Sequence, residues 1–201
     1  MLTMPPLETP RLLIRPFVRD DLAAIHQILD VELGEVDMGS EGAQTLSKRQ
    51  RWLEWAVMNY EALARLYQPP YGDRAVVLRQ TGQLIGAVGF VPCLGPFARL
   101  PSFHAPDEAS ARLFTAEFGL YYALSPSHQR QGYATEAARA MVDYAFSQLN
   151  LKRIVATTTY DNAASLGVMR KLGMRIEKNL HPDLPWFQAV GVLGNRARET
   201  S

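Results

Sequence analysis

Three observations place this sequence in the α/β (α+β) class, as a mixed sheet flanked by helices. The second half, from about Phe114, alternates strand, helix, strand, helix, strand. The first half carries a turn, Thr81-Gly82, between two apolar runs, which signals a hairpin. The 201 residues, 47% apolar, are enough for one continuous core. A single domain is expected over 1–201, with an irregular insertion at about 92–113.

The elements follow in chain order. Arg11–Arg15 is a short apolar run bounded by Pro10 and Pro16, and reads as a first strand. Asp20 or Asp21 is expected to cap a helix running to about Leu29, with Leu22, Ile25 and Leu29 on one face. Val31–Thr45 is acidic and glycine-bearing, and reads as a loop. Ser47 to about Leu66 keeps a helical period and ends before Pro69-Pro70. Strands are expected over Arg74–Arg79 and Leu84–Val91. The pattern then breaks from Pro92 to Arg112, where four prolines and two phenylalanines show no period; so long a loop inside a domain is often functional. Phe114–Leu124 resumes as a strand, Ser125–Gly132 is a polar loop and Ala134–Leu149 a periodic helix. Arg153–Thr159 is β-branched and strand-like. Asn162–Leu172 is a helix that Gly173 stops. Met174–Lys178 and Gln188–Leu193 are candidate last strands.

Composition excludes several functions. The formal net charge is +1 and no run of Lys or Arg occurs, so neither a nucleic acid nor an anionic membrane is an expected partner. The single cysteine, Cys93, cannot form an internal disulfide, and the four histidines are scattered, so no metal is expected. Met1–Pro6 has no signal-peptide pattern and no stretch approaches the length of a membrane span, so the protein reads as cytoplasmic.

The sharpest signal is Gln129-Arg130-Gln131-Gly132-Tyr133-Ala134-Thr135-Glu136-Ala137, between a strand and a helix. The first turn of a helix has N–H groups without internal partners and the positive end of the helix dipole. Gly132 lets backbone approach a ligand closely or take a positive φ, and Arg130 adds a cation. Such a turn suits a phosphate. A plain strand–helix turn is the competing reading. The loop lacks the glycines and lysine of a Walker A loop and those of a dinucleotide fingerprint, which argues against ATPase and oxidoreductase functions.

Taken in order, this loop, the long helix, the next strand and Asn162-x-x-Ser165-x-x-x-Met169-x-x-x-Gly173 resemble the GNAT N-acetyltransferases. Gly132–Ala137, the opening Leu7–Pro16 with Asp20-Asp21, and Glu117-Phe118-Gly119-Leu120 resemble the ribosomal-protein (RimJ/RimL-like) branch. The resemblance spans about Leu7 to Lys178. It implies a single, mostly antiparallel central sheet and acetyl-CoA as donor, with a primary amine as acceptor. It also implies that backbone amides from Gln129 through Arg130, Gln131, Gly132, Tyr133 and Ala134, with Thr135, hold the pyrophosphate. The strand edge at Tyr122, Ala123 and Leu124 would pair with the pantetheine arm as an added strand. Asn162 would bond the arm or a water, a role compatible with capping its helix.

Acetyl transfer needs a neutral amine, a stabilised thioester oxygen and a proton for the leaving thiolate. Glu117, among apolar neighbours, is the candidate base, directly or through water; the competing reading pairs it with an arginine across the sheet. Glu136 is a second carboxylate, better placed to favour the helix dipole. The family's usual acidic Tyr, seven positions after the Asn, is here Met169. The resemblance therefore points to Ser165 as donor to the sulfur, with Tyr160 as an alternative. Cys93 is read as inert. Trp52, Trp55, Tyr67, Phe97 and Phe103 are candidate acceptor-pocket walls, although for Trp52 and Trp55 core packing is the preferred reading. The Pro/Phe-rich segment is a candidate lid or homodimer contact. A non-catalytic acyl-CoA-binding module and a transferase for a longer acyl-CoA remain alternatives.

Overall fold

The structure is a computed structural model that describes residues 4–34, 43–180, 184 and 186–195. Among these, eight strands form one sheet: β1 (Leu7–Glu8), β2 (Leu12–Arg15), β3 (Gly72–Leu78), β4 (Leu84–Gly95), β5 (Thr115–Leu124), β6 (Arg153–Thr158), β7 (Arg175–Lys178) and β8 (Ala189–Gly194). Their order is β1-β2-β3-β4-β5-β6-β8-β7. The β5–β6 pair is parallel, with Gly119 opposite Val155. The pairs β1–β2, β2–β3, β3–β4, β6–β8 and β7–β8 are antiparallel. Helices α1 (Leu22–His26), α2 (Leu46–Arg65), α3 (Glu108–Ala111), α4 (Tyr133–Ser147) and α5 (Ala163–Leu172) flank the sheet. The mixed, mostly antiparallel architecture expected from the sequence is the one observed. No helix among the described residues is long and apolar enough to cross a membrane.

The chain divides into two compact units, 1–90 with 121–141, and 91–120 with 142–201. In the first, Phe17, Ile25, Leu53, Ala75 and Ala87 are the centre of the core, and Trp52 packs edge-on to Phe17 with ring centroids 5.4 Å apart. Thr45 caps α2, accepting from Lys48 N, and Tyr67 ends it in the left-handed region at φ 54°. The β3–β4 turn closes with Gly82 at φ 72°. The second unit's core centres on Phe97, Phe187, Val155 and Val190, all fully buried. Here Asn162 caps α5. The helix closes on Gly173 at φ 82°, with Gly173 N donating to Arg170 O and Met174 N to Met169 O, the two bonds of a Schellman stop.

Four local expectations are corrected. The helix after β2 is not one α-helix capped by an aspartate. A 3₁₀ turn (Arg19–Asp21) leads into α1, which continues as a π-helical turn over Gln27–Glu32. The Asp21 carboxylate makes no cap bond to α1: it turns back to accept from Val18 N, at the head of the 3₁₀ turn, and from both Arg15 terminal nitrogens. Of the expected loop over Val31–Thr45, the start is helical, and residues 35–42 lie outside the described residues. Strand β4 runs through Pro92 to Gly95. Beyond it the Pro/Phe-rich segment is built from two 3₁₀ turns, Phe97–Arg99 and Pro101–Phe103, and the short α3.

That segment is anchored within the second unit. Ser102 Oγ and N donate to Glu177 at 2.6 and 3.2 Å, and Phe97 packs T-shaped on Phe187 at 5.1 Å. Phe103 lies over the Arg153 guanidinium at 4.1 Å. Phe97 is wholly buried and belongs to the core, not to a pocket wall. Trp55 is 52% exposed and so does not pack the core as expected, while Tyr67 is exposed as well.

Candidate functional site

In the first unit, β5 ends at Leu124 and enters the loop through a 3₁₀ turn, Pro126–His128. Close packing fixes this exit. Ser125 N donates to Ile85 O at 2.9 Å, and Gly86 on β4 lies so near Ala123 and Leu124 that no Cβ would fit. The Ser125 hydroxyl donates to Glu32 Oε2 at 2.6 Å, tying the π-helical turn to the loop, and its oxygen lies 2.9 Å from Ser127 Oγ. Two side-chain amides brace the loop from within: Gln129 Nε2 donates to Leu124 O at 3.0 Å and Gln131 Nε2 to Ser127 O at 2.9 Å.

Arg130 and Gly132 both take positive φ, 60° and 85°. Two left-handed residues separated by one other reverse the chain sharply into α4. The first helical bond runs from Glu136 N to Gly132 O. Helical geometry therefore leaves the N–H groups of Tyr133, Ala134 and Thr135 without intrahelical acceptors, at the positive end of the α4 dipole. The Arg130 side chain is exposed at this end. The arrangement can take an anion with several oxygens.

Sequence reasoning missed how this helix start is held. Arg11 reaches it from the β1–β2 corner, with Nε and Nη2 each 2.6 Å from Glu136 Oε2 and Nη1 donating to Gln131 O at 3.0 Å. Its guanidinium stacks on the Tyr133 ring, 4.3 Å from the centroid. Thr9 Oγ1 and Arg11 N donate to Glu136 Oε1 at 2.6 and 3.0 Å. Burial opposes the charge on Glu136, but these bonds outweigh it and hold the carboxyl below its ordinary value. Glu136 thus ties α4 to the first strands as well as favouring the dipole. The signal was the Thr9-Pro10-Arg11 opening, whose partner 125 residues away no local pattern names.

In the second unit, Glu117 is buried and its carboxylate is forked by Arg153, with Nε to Oε2 at 2.8 Å and Nη2 to Oε1 at 2.5 Å. This is the arginine pairing left open by the sequence. Asn162 Oδ1 accepts from Ser165 N at 2.9 Å, and Ser165 is half-buried on the first turn of α5. Tyr160 donates its hydroxyl to Asn179 O, and its N–H to Gln188 Oε1 at 2.9 Å. Met169 is buried, with its sulfur 3.1 Å from where a Cβ on Gly191 would lie. Cys93 is partly buried. Burial, reinforced by the Glu117 charge, pushes its thiol up to about 11, so it is protonated at neutral pH.

A family model described as the acetyltransferase (GNAT) domain matches residues 11–175. The chain belongs to the GNAT acetyltransferase family. Among curated GNAT relatives, the uncharacterized N-acetyltransferase YoaA of Bacillus subtilis (strain 168) is 32% identical over 174 residues, covering 86% of this chain and 84% of its own length. Spermidine N(1)-acetyltransferase of Escherichia coli (strain K12) is 27% identical over 170 residues, covering 83% and 74%. The ribosomal-protein-S5-alanine acetyltransferase of Vibrio fischeri superposes with TM-score 0.67 at 18% identity, covering 96% of this chain and 97% of that one, a likeness of GNAT fold alone.

Proposed function

We propose that this chain transfers the acetyl group of acetyl-CoA to a primary amine by direct attack in a ternary complex. The observation that carries the reading is the loop before α4, with two positive-φ residues and three N–H groups outside the helical ladder. A diphosphate has the charge and the acceptor oxygens for that helix start. The nearby Tyr122, Ala123 and Leu124 end β5, the strand that leads into the loop, and the pantetheine arm is assigned to lie extended along them. In the reaction the amine nitrogen forms a bond to the thioester carbon, the carbon–sulfur bond breaks, and the sulfur leaves with a proton. Ser165 is assigned to donate that hydrogen bond. Glu117 remains the candidate base, acting through water, because a carboxylate forked by Arg153 still has lone pairs to accept with. The reading as a cytoplasmic enzyme of the ribosomal-protein branch belongs to this proposal.

Isothermal calorimetry tests the donor. Acetyl-CoA is expected to bind the wild type, and Gly132→Val to weaken binding at least about tenfold, because a β-branched residue resists φ 85° and its Cβ would crowd Arg11. Equal affinity in the two proteins would remove the loop from the reading. Steady-state kinetics test the donor hydroxyl. Ser165→Ala is expected to lower kcat by about 10²-fold with little change in KM for acetyl-CoA; an unchanged kcat discards the role. Spermidine and a peptide carrying an N-terminal alanine are the first acceptors to assay, after the two named relatives.

One second reading is favoured by a specific observation. Met169, at the position of the family's tyrosine acid, is in the core, and the hydroxyl of Tyr160, the alternative donor, is engaged by Asn179. Tight acetyl-CoA binding with no turnover across the amine panel would favour a sensing module on the same fold.

A further inference from the structure

The same corner of β1 and β2 that completes the sheet edge also reaches the head of α4. Arg130 holds a left-handed conformation that a side-chain-bearing residue resists, so the loop needs bonds from outside to keep it. Arg11 supplies them at the next peptide, donating to Gln131 O and lying flat on Tyr133. Gly132 takes part as well: a Cβ there would come within 3.3 Å of Arg11 Nη2, so its bare α-carbon makes room for the guanidinium as well as for the turn. Glu136 neutralises the cation at 2.6 Å, which leaves little net charge to attract a ligand.

We infer that Arg11 is a positioning residue for the donor's diphosphate, holding the Gln131–Tyr133 backbone in its binding shape before the ligand arrives. The inference rests on the reading of the loop given above. The guanidinium acts by shape: it forks to Glu136, reaches the Gln131 carbonyl and stacks on Tyr133 at once. A lysine keeps the charge but has neither the fork nor the flat face. The effect is confined to the donor, because a preorganised loop lowers the cost of binding without touching the bond-making step.

The test is steady-state kinetics on the full chain with Arg11→Met, Arg11→Lys and Arg79→Met. Arg79 is the control: it braces the same corner, donating to Thr9 O at 2.8 Å and pairing with Glu8 at 3.2 Å, without reaching α4. For both Arg11 variants, KM for acetyl-CoA is expected to rise about tenfold to a hundredfold, the loss of one or two charge-assisted bonds. kcat and KM for the amine are expected to stay within about threefold. Arg79→Met is expected to leave KM for acetyl-CoA within about twofold, as surface pairs are weak. Three results overturn the inference: a wild-type KM in Arg11→Met, full rescue by Arg11→Lys, or an equal rise in Arg79→Met. Should Arg11→Met fail to fold, Arg11→Lys carries the test alone. Calorimetry separates the two levels. A wild type without CoA affinity sinks the loop reading itself, whereas wild-type affinity unchanged in the variants sinks only the role of Arg11.

Discussion

Arg49→Met is expected to destabilise the protein by roughly 3–5 kcal/mol, the range for a buried pair that loses one partner. Arg49 and Asp30 are buried, 3% and 6% exposed. Arg49 Nε and Nη2 donate to the two Asp30 oxygens at 2.8 and 2.9 Å, and Gln44 N donates to Oδ1 at 2.8 Å. His26 Nδ1 lies 2.8 Å from Oδ2, and Arg49 also lies over Trp52. Burial disfavours the Asp30 charge, but the bonds from Arg49, Gln44 and His26 outweigh it and hold the carboxyl below its ordinary value. Stability from such a group is complete above its unfolded pKa, near 4, and is lost as pH falls through the lower folded value. In thermal melts at pH 7, the variant is therefore expected to unfold roughly 6–20 °C below wild type. The gap is expected to narrow once pH drops below about 4. A gap that stays constant from pH 7 to pH 3 would show that the ion pair is not its source.

Gly86→Ala is expected to cost about 3 kcal/mol, at the upper end for overpacking. The added Cβ would fall 2.2 Å from Ala123 O and 2.9 Å from Leu124 Cα, and backbone on a neighbouring strand cannot move aside as a side-chain tip can. The register of β3 against β4 already shifts at Val76/Val77, opposite this glycine, so the strand has an irregularity there. Because Ala123 and Leu124 lead directly into the loop, KM for acetyl-CoA is expected to rise in whatever protein folds. A melting temperature within a degree or two of wild type, with unchanged KM, would falsify this account of Gly86.

Local chemistry was legible where it was self-contained. The Asn162 cap and the Gly173 stop of α5, the β-branched β6 and the Gly82 turn each depend on a few neighbouring residues. The misread places depend on distant ones. Leu22, Ile25 and Leu29 have an α-helical spacing, yet the chain widens into a π-turn whose Asp30 is held by Arg49 from α2. Pro92 reads as a breaker, but it is exposed and β4 continues past it. Glu117 is legible in the sequence as a carboxylate among apolar neighbours. Its partner followed only from the parallel register, since Gly119 opposite Val155 sets Glu117 beside Arg153 two residues back on each strand. The phosphate turn was visible as a motif, whereas the corner that braces it was visible only in three dimensions.

The π-turn has a bearing on how this protein tolerates change. A π-helical turn is an α-helix with one residue inserted, and each residue turns the helix by about 100°. Excising the exposed Gln27 would restore an ordinary helix at no loss of hydrophobic character. It would also swing Glu32 round by that angle and break its bond to Ser125. A deletion that looks conservative along the chain would thus be felt at the mouth of the loop, and indels there are expected to be rarer than substitutions.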